Sequence, residues 1–434
     1  MRDPLPPLGR GASIGLLCCW ALSACAFITP STVTLRATSV VPPYPYSPPT
    51  ATPSPLPAPL ASPQPLPTNT PSASAYAQEL QAGVMLRDDG VLLVAGQPFF
   101  PFGFALYPRY EGGSFGAETL QAIAASGFNT LHAPIRDNYH DLMDDALRLN
   151  IHLLAEIYPY ELEDSEISRI IAAVKDHPAL LAYAIADDVD DGNYYTPERV
   201  TWVNQLVKQV DRQHPTYISG YRPDRIADFM ASADIVAMQS YPIGKSKADL
   251  ASIGHVNVAL AQTQHAAQPF KRSIMANLQS FAWPDRRSPT PDEVRNMTYQ
   301  ALVNNVRGII YYTYDDGFWR IEQHPALLQA VQGLAPEINY LAPALLNGVY
   351  TPIESGNPHI LAAQWLYDQS RYVIVVNTAQ QATQTSLSLP APSSRAQAEP
   401  IFPGRPAGMR LSNNQLSGRL EPLAVHVYRI DAGE

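Results

Sequence analysis

Four aspartates, Asp187, Asp188, Asp190 and Asp191, directly follow the apolar run Leu180–Ala186. A carboxyl fixed at the end of a buried strand can be held protonated and serve as a general acid, if a second carboxylate across a cleft attacks or activates water. Asp188 is the candidate acid, and Asp187 beside it a candidate binding group. The second carboxylate has four candidates: Glu156 in the apolar run Ile151–Tyr158, Asp315 and Asp316 after Gly308–Tyr314, and Asp137. Glu156 and Asp316 are carried forward as catalytic candidates, although Glu156 could instead form a structural pair with Arg136, itself a candidate binding residue. Asp190 and Asp191 fit a solvated loop that caps the following helix. Asp187 to Glu198 half-fits a calcium loop, but Val189 stands where the third ligand should be. His132 and His140 lack metal-binding spacing, and no metal or cofactor is expected.

Aromatic residues crowd the same strand ends: Tyr158, Tyr160, Tyr194, Tyr195, Tyr241, Phe281, Trp283, Tyr314, Phe318 and Trp319. Packing would account for some of them. So many at one mouth also suit a carbohydrate ligand, whose C–H faces lie on rings while its hydroxyls need polar neighbours. Tyr158, Tyr241, Trp283, Tyr314, Trp319 and Gln279 are therefore candidate binding residues.

The elements that would position these groups alternate strand and helix. Eight apolar runs, Phe99–Leu106, Phe128–Pro134, Ile151–Tyr158, Leu180–Ala186, Thr216–Tyr221, Asp234–Tyr241, Ser273–Phe281 and Gly308–Tyr314, are separated by amphipathic stretches. Thr196-Pro197-Glu198 and Thr290-Pro291-Asp292-Glu293 each place an N-cap hydroxyl before a proline at the first helical position, and Glu293 completes a capping box. Eight such units and no glycine-rich phosphate turn predict a (β/α)8 TIM barrel, whose sites lie at the C-terminal strand ends. Beyond Gly348 the pattern becomes short strands without helices, as in Tyr372–Asn377, Thr385–Leu389 and Leu423–Ile430. A small all-β sandwich over 348–434 follows, packed on the barrel of 76–347.

The 434 residues carry a formal charge of −10 without a basic run, which argues against a nucleic-acid partner. All three cysteines, Cys18, Cys19 and Cys25, lie in the first 25 residues, so thiolate metal sites and thiol catalysis are excluded downstream. Arg2 and Arg10 precede an apolar stretch, Ala12 to Ala21, too short to span a bilayer and laid out like a secretory leader. It ends in Leu22-Ser23-Ala24-Cys25, which resembles the bacterial lipobox. That resemblance implies a signal peptide over 1–25, lipidation of Cys25 and a lipid anchor on the outer side of the cell envelope as the only membrane contact. Residues 26–75 form a Pro-rich linker, with 14 prolines between Pro30 and Ala73 and Arg36 as the only charge there.

Three segments resemble clan A glycoside hydrolases. Val94-Ala95-Gly96-Gln97-Pro98-Phe99-Phe100-Pro101-Phe102-Gly103 is similar to the opening of many such barrels. His177-Pro178-Ala179-Leu180-Leu181-Ala182-Tyr183-Ala184-Ile185-Ala186-Asp187-Asp188 is similar to their strand-four segment, with Asp188 in place of the acid/base glutamate, Tyr183 for a tryptophan and Val189 for a proline. Gln239-Ser240-Tyr241-Pro242 matches a strand-six ending. The resemblance implies hydrolysis of O-glycosidic bonds in an extracellular oligo- or polysaccharide, with Asp188 as acid/base. It also puts a nucleophilic glutamate on strand seven, yet Ser273 to Pro284 contains no carboxylate and Gln279 lies near that position. The alternative is a non-catalytic barrel that binds glycan.

Overall fold

The computed structural model describes residues 83–107, 117–135, 139–160, 162–245, 253–389 and 397–431. The proposed signal peptide, Cys25, the linker, Arg136 and Asp137 lie outside them. Eight parallel strands close into a barrel: Phe102–Leu106, Thr130–Pro134, His152–Glu156, Leu180–Ala186, Thr216–Gly220, Ile235–Ser240, Ser273–Gln279 and Ile309–Asp315. Each expected run supplies one strand, and strand eight pairs with strand one to complete the ring. Their continuous apolar character fits strands covered on one side by helices and on the other by the lumen.

Strand one starts at Phe102, later than Phe99. Gln97–Phe99 instead pairs antiparallel with Leu92–Val94, which pairs with Val84–Leu86. Pro101, without an amide hydrogen, separates this small sheet from the barrel strand. Gly90 lies against the start of strand seven, so the sheet covers the N-terminal end of the barrel. Val84 and Leu92 there share a core with the lumen residues Ala105, Leu154, Ala182, Ala184, Ala237 and Met275. Gly103 is required by close packing: a Cβ there would meet the Thr130 carbonyl oxygen at 1.6 Å.

Both predicted caps form. Thr196 Oγ1 accepts from the Arg199 amide at the start of Pro197–Val210, and Thr290 and Glu293 make the reciprocal capping box on Pro291–Val303. Arg287 adds a two-pronged 2.7 Å contact to Glu293. Residues 293–303 are buried throughout: the sandwich covers Arg295 and Asn296, and Gln300 is held by Ile253 and Asn257 of the segment after strand six.

The sandwich has a five-stranded sheet, ordered Val349–Pro352, Ile360–Tyr367, Ser370–Asn377, Val425–Asp431 and Glu399–Pro400, and a three-stranded sheet of Thr383–Ser388, Gln415–Leu420 and Arg410–Ser412. Alternation divides its residues. Val373, Val375, Leu387, Leu416 and Tyr428 form the sandwich core, whereas Trp365, Ile374, Val376, Val425 and Val427 join the barrel's helix-layer core. At this seam Glu337 is held by Arg295 at 2.9 Å, Arg405 at 2.7 Å and the Tyr299 hydroxyl at 2.5 Å.

Candidate active site

Asp187 and Asp188 follow strand four at the C-terminal face, both partly buried. Asp187 reaches across to the ends of strands five and six. Its Oδ1 accepts from Gln239 Nε2 at 2.8 Å and from Ser219 Oγ, while Gln239 also donates to Ser219 at 3.2 Å. Asp188 takes a left-handed backbone conformation (φ 50°), which Asp tolerates better than most residues. Burial raises both carboxyls above the ordinary aspartate range, despite the donors to Asp187 that favour its ionised form. Asp188 is raised furthest, through burial first and then the neighbouring charges of Asp187 and Asp190. Two carboxyls raised to different extents are the asymmetry from which an acid and its partner can be drawn.

The remaining aspartates of the run have structural work. Asp190, fully buried, accepts from the Tyr221 amide at 3.1 Å and the Arg222 amide at 2.7 Å, tying the loop after strand four to the loop after strand five. Asp191 accepts from the Tyr221 hydroxyl at 2.7 Å. Among the described residues no cluster of three His, Cys, Asp or Glu side chains is arranged to hold a metal.

Glu156 ends strand three, buried, with His132 Nε2 3.5 Å from its Oε2. Burial lowers His132 to about 4, so the imidazole is neutral at pH 7 and does not supply a counter-charge. The phenols of Tyr107, Tyr195 and Tyr217 are all raised by burial first, and each is raised further by the charges of both Glu156 and Asp187. Glu156 ends strand three and Asp187 follows the neighbouring strand four, so the two carboxyls border one space at the C-terminal face. Tyr217, whose hydroxyl donates to Asn277 Oδ1 at 2.9 Å, stands in that space below the mouth.

Tyr241 borders the same space, its phenol raised by burial and then by Asp187. Its ring lies 5.3 Å from Phe281, 5.7 Å from Tyr312 and 6.5 Å from Trp283. Lys245 Nζ is 6.0 Å from the Trp283 ring and 5.6 Å from that of Tyr221. Tyr158 acts on Tyr107 and contacts Tyr160 at 6.1 Å.

Four candidates are placed differently. Gln279 is fully buried, its Oε1 accepting from the Ile243 amide at 2.8 Å and its Nε2 donating to the Ile243 and Phe281 carbonyls. It clamps the strand-six loop to the strand-seven loop and has no polar atom left for a ligand. Asp316 accepts from the Phe318 and Trp319 amides and from the Tyr312 hydroxyl at 3.2 Å, capping the turn after strand eight. Tyr314 packs on Phe104 and donates to Glu322 at 2.7 Å, away from the lumen. Trp319 stacks on His324 at 3.8 Å. The pairing of strand eight is irregular between Tyr311 and Asp315, so Tyr314 leaves the lumen-facing series of Ile310 and Tyr312.

No protein-family model matches the chain, and no curated protein does. Solved structures do. A putative glycoside hydrolase from Bacteroides vulgatus superposes with a TM-score of 0.57 at 12% identity, covering 82% of this chain and 83% of that one. Another, described as a glycoside hydrolase, gives 0.58 at 11% identity over 81% and 97%. The acarbose complex of an alpha-amylase from Geobacillus thermoleovorans gives 0.53 at 11% identity over 81% and 100%. The fold is one found among glycoside hydrolases. At these identities the likeness concerns the (β/α)8 barrel with its β-sandwich, and the chemistry rests on the side chains at the mouth.

Ser219, Gln239, Tyr107 and Tyr312 belong to that mouth and were not among the residues singled out from the sequence. A signal for two of them exists. Tyr217 and Ala237 face the lumen, and a two-residue step along each strand reaches Ser219 and Gln239.

Proposed function

We propose that the barrel mouth hydrolyses O-glycosidic bonds of an extracellular oligo- or polysaccharide. Asp188 acts as the general acid/base and Glu156 as the second carboxylate. The observation that carries this reading is the placement of Asp188, directly after strand four beside the tethered Asp187, next to strand three, which ends at Glu156. Neutral Asp188 donates its proton to the glycosidic oxygen as the C–O bond breaks. Glu156 attacks the anomeric carbon or takes a proton from the attacking water, and Gln239 and Ser219 hold Asp187 in place as a partner for sugar hydroxyls. Lipidation of Cys25 would tether the protein to a bacterial envelope, and Cys25→Ser should release it from the membrane fraction.

The second reading, a glycan-binding barrel without turnover, is favoured by Gln279, a non-nucleophilic side chain near the position expected for the strand-seven glutamate and locked in backbone bonds. Screening wild type and Asp188→Asn on a polysaccharide panel separates the two. Hydrolysis that falls about 10²–10⁴-fold in the variant, with binding retained, supports the enzyme. Hydrolysis at the wild-type rate in Asp188→Asn removes the role of Asp188, and binding without turnover by the wild type establishes the second reading.

A further inference from the structure

The rings at the mouth fall into two groups. Tyr160, Tyr194 and Tyr195, on the loops after strands three and four, have ring centroids 5.3 Å (Tyr160–Tyr194) and 5.7 Å (Tyr160–Tyr195) apart. Tyr241, Phe281 and Trp283, after strands six and seven, form a second set, with Phe281 and Trp283 4.9 Å apart. The closed order 7-8-1-2-3-4-5-6 puts strands three and seven on opposite sides of the barrel. Asp187, directly after strand four with the first set, reaches across to Ser219 on strand five and to Gln239 on strand six, two residues before Tyr241 of the second set, so its carboxyl lies between the two. Tyr194 is 54% exposed and Trp283 is partly exposed, so each set presents a ring toward solvent.

From this we infer that the site takes an extended glycan chain, held by sugars on both sides of the bond at Asp188, and not a terminal sugar in a one-sided pocket. The inference rests on the proposed carbohydrate reading but not on turnover. A pyranose stacked on either set sits away from the carboxyls, so each added sugar on that side gains contact area until the ring set is covered. A site for chain ends would need rings on one side only.

The test uses the full chain with Asp188→Asn as the binding form, and malto-, xylo-, cello- and chito-oligosaccharides of two to eight sugars as probes. For at least one series, affinity should rise with length beyond three sugars. Tyr194→Ala and Trp283→Ala should each weaken the longest binder about two- to tenfold, the size of one lost ring contact, and change the disaccharide less. Affinity that levels off at two sugars, Tyr194→Ala without effect on every length, or no binding by any series overturns the inference. If length-dependent binding is seen while wild-type protein hydrolyses none of the probes, the inference stands and the enzymatic reading fails.

Discussion

The seam and the mouth both bury carboxyl groups, and they treat them oppositely. At the seam between barrel and sandwich, Glu337 meets two guanidinium groups and a phenol. At the mouth, Asp188 meets Asp187 and Asp190, and the groups bonded to Asp187 are a hydroxyl and an amide. Burying an anion is tolerable only with matched partners, so the seam satisfies its carboxylate and becomes rigid. The mouth leaves its carboxyls destabilised as anions, which raises their proton affinity and lowers stability near neutral pH. A buried acid with its counter-charges belongs to the scaffold, whereas one set beside like charges belongs to the chemistry.

The contrast can be broken from either side. Glu337→Ala strands Arg295 and Arg405 at the seam and should cost about 3–5 kcal/mol of stability, read as a lower denaturant midpoint. An unchanged midpoint would mean that the seam does not hold the sandwich. Gln279→Ala leaves the Ile243 amide and two carbonyls without their partner and should cost about 1–3 kcal/mol. A loss of glycan affinity with unchanged stability would instead return Gln279 to the binding surface. Asp188→Asn should act in the opposite direction at pH 7. Its folded pKa is raised, so between the unfolded and folded values the native state holds more protons than the unfolded chain, and stability falls as pH rises through that window. Asparagine removes this penalty, about 1.4 kcal/mol for every tenfold gain in proton affinity on folding, so thermal scans should find the variant more stable at pH 7 and equal to wild type below about pH 4.

Much of this was legible in the chain. Eight apolar runs announced eight strands because barrel strands are buried on both faces, and the Thr-Pro starts announced the helix caps because capping is local. The aspartate run was legible because its members are adjacent in sequence. The seam was not, since Arg295, Glu337 and Arg405 come from distant segments, and Asn296 looks like part of a solvated helix face until the sandwich covers it. Gln279 was legible as a missing carboxylate but not as a clamp, because its partner Ile243 lies on another loop. Tyr314 was legible as a ring at a strand end but not in its direction, because the pairing of strand eight is irregular between Tyr311 and Asp315.

Asp188 is expected to hold its proton above the pH at which an ordinary aspartate loses it. A side-chain carboxyl titration by carbon-13 NMR, assigned with Asp188→Asn, measures this directly. Asp188 should titrate well above the ordinary aspartate value of about 3.9, and above Asp187. A midpoint at or below that value would contradict it.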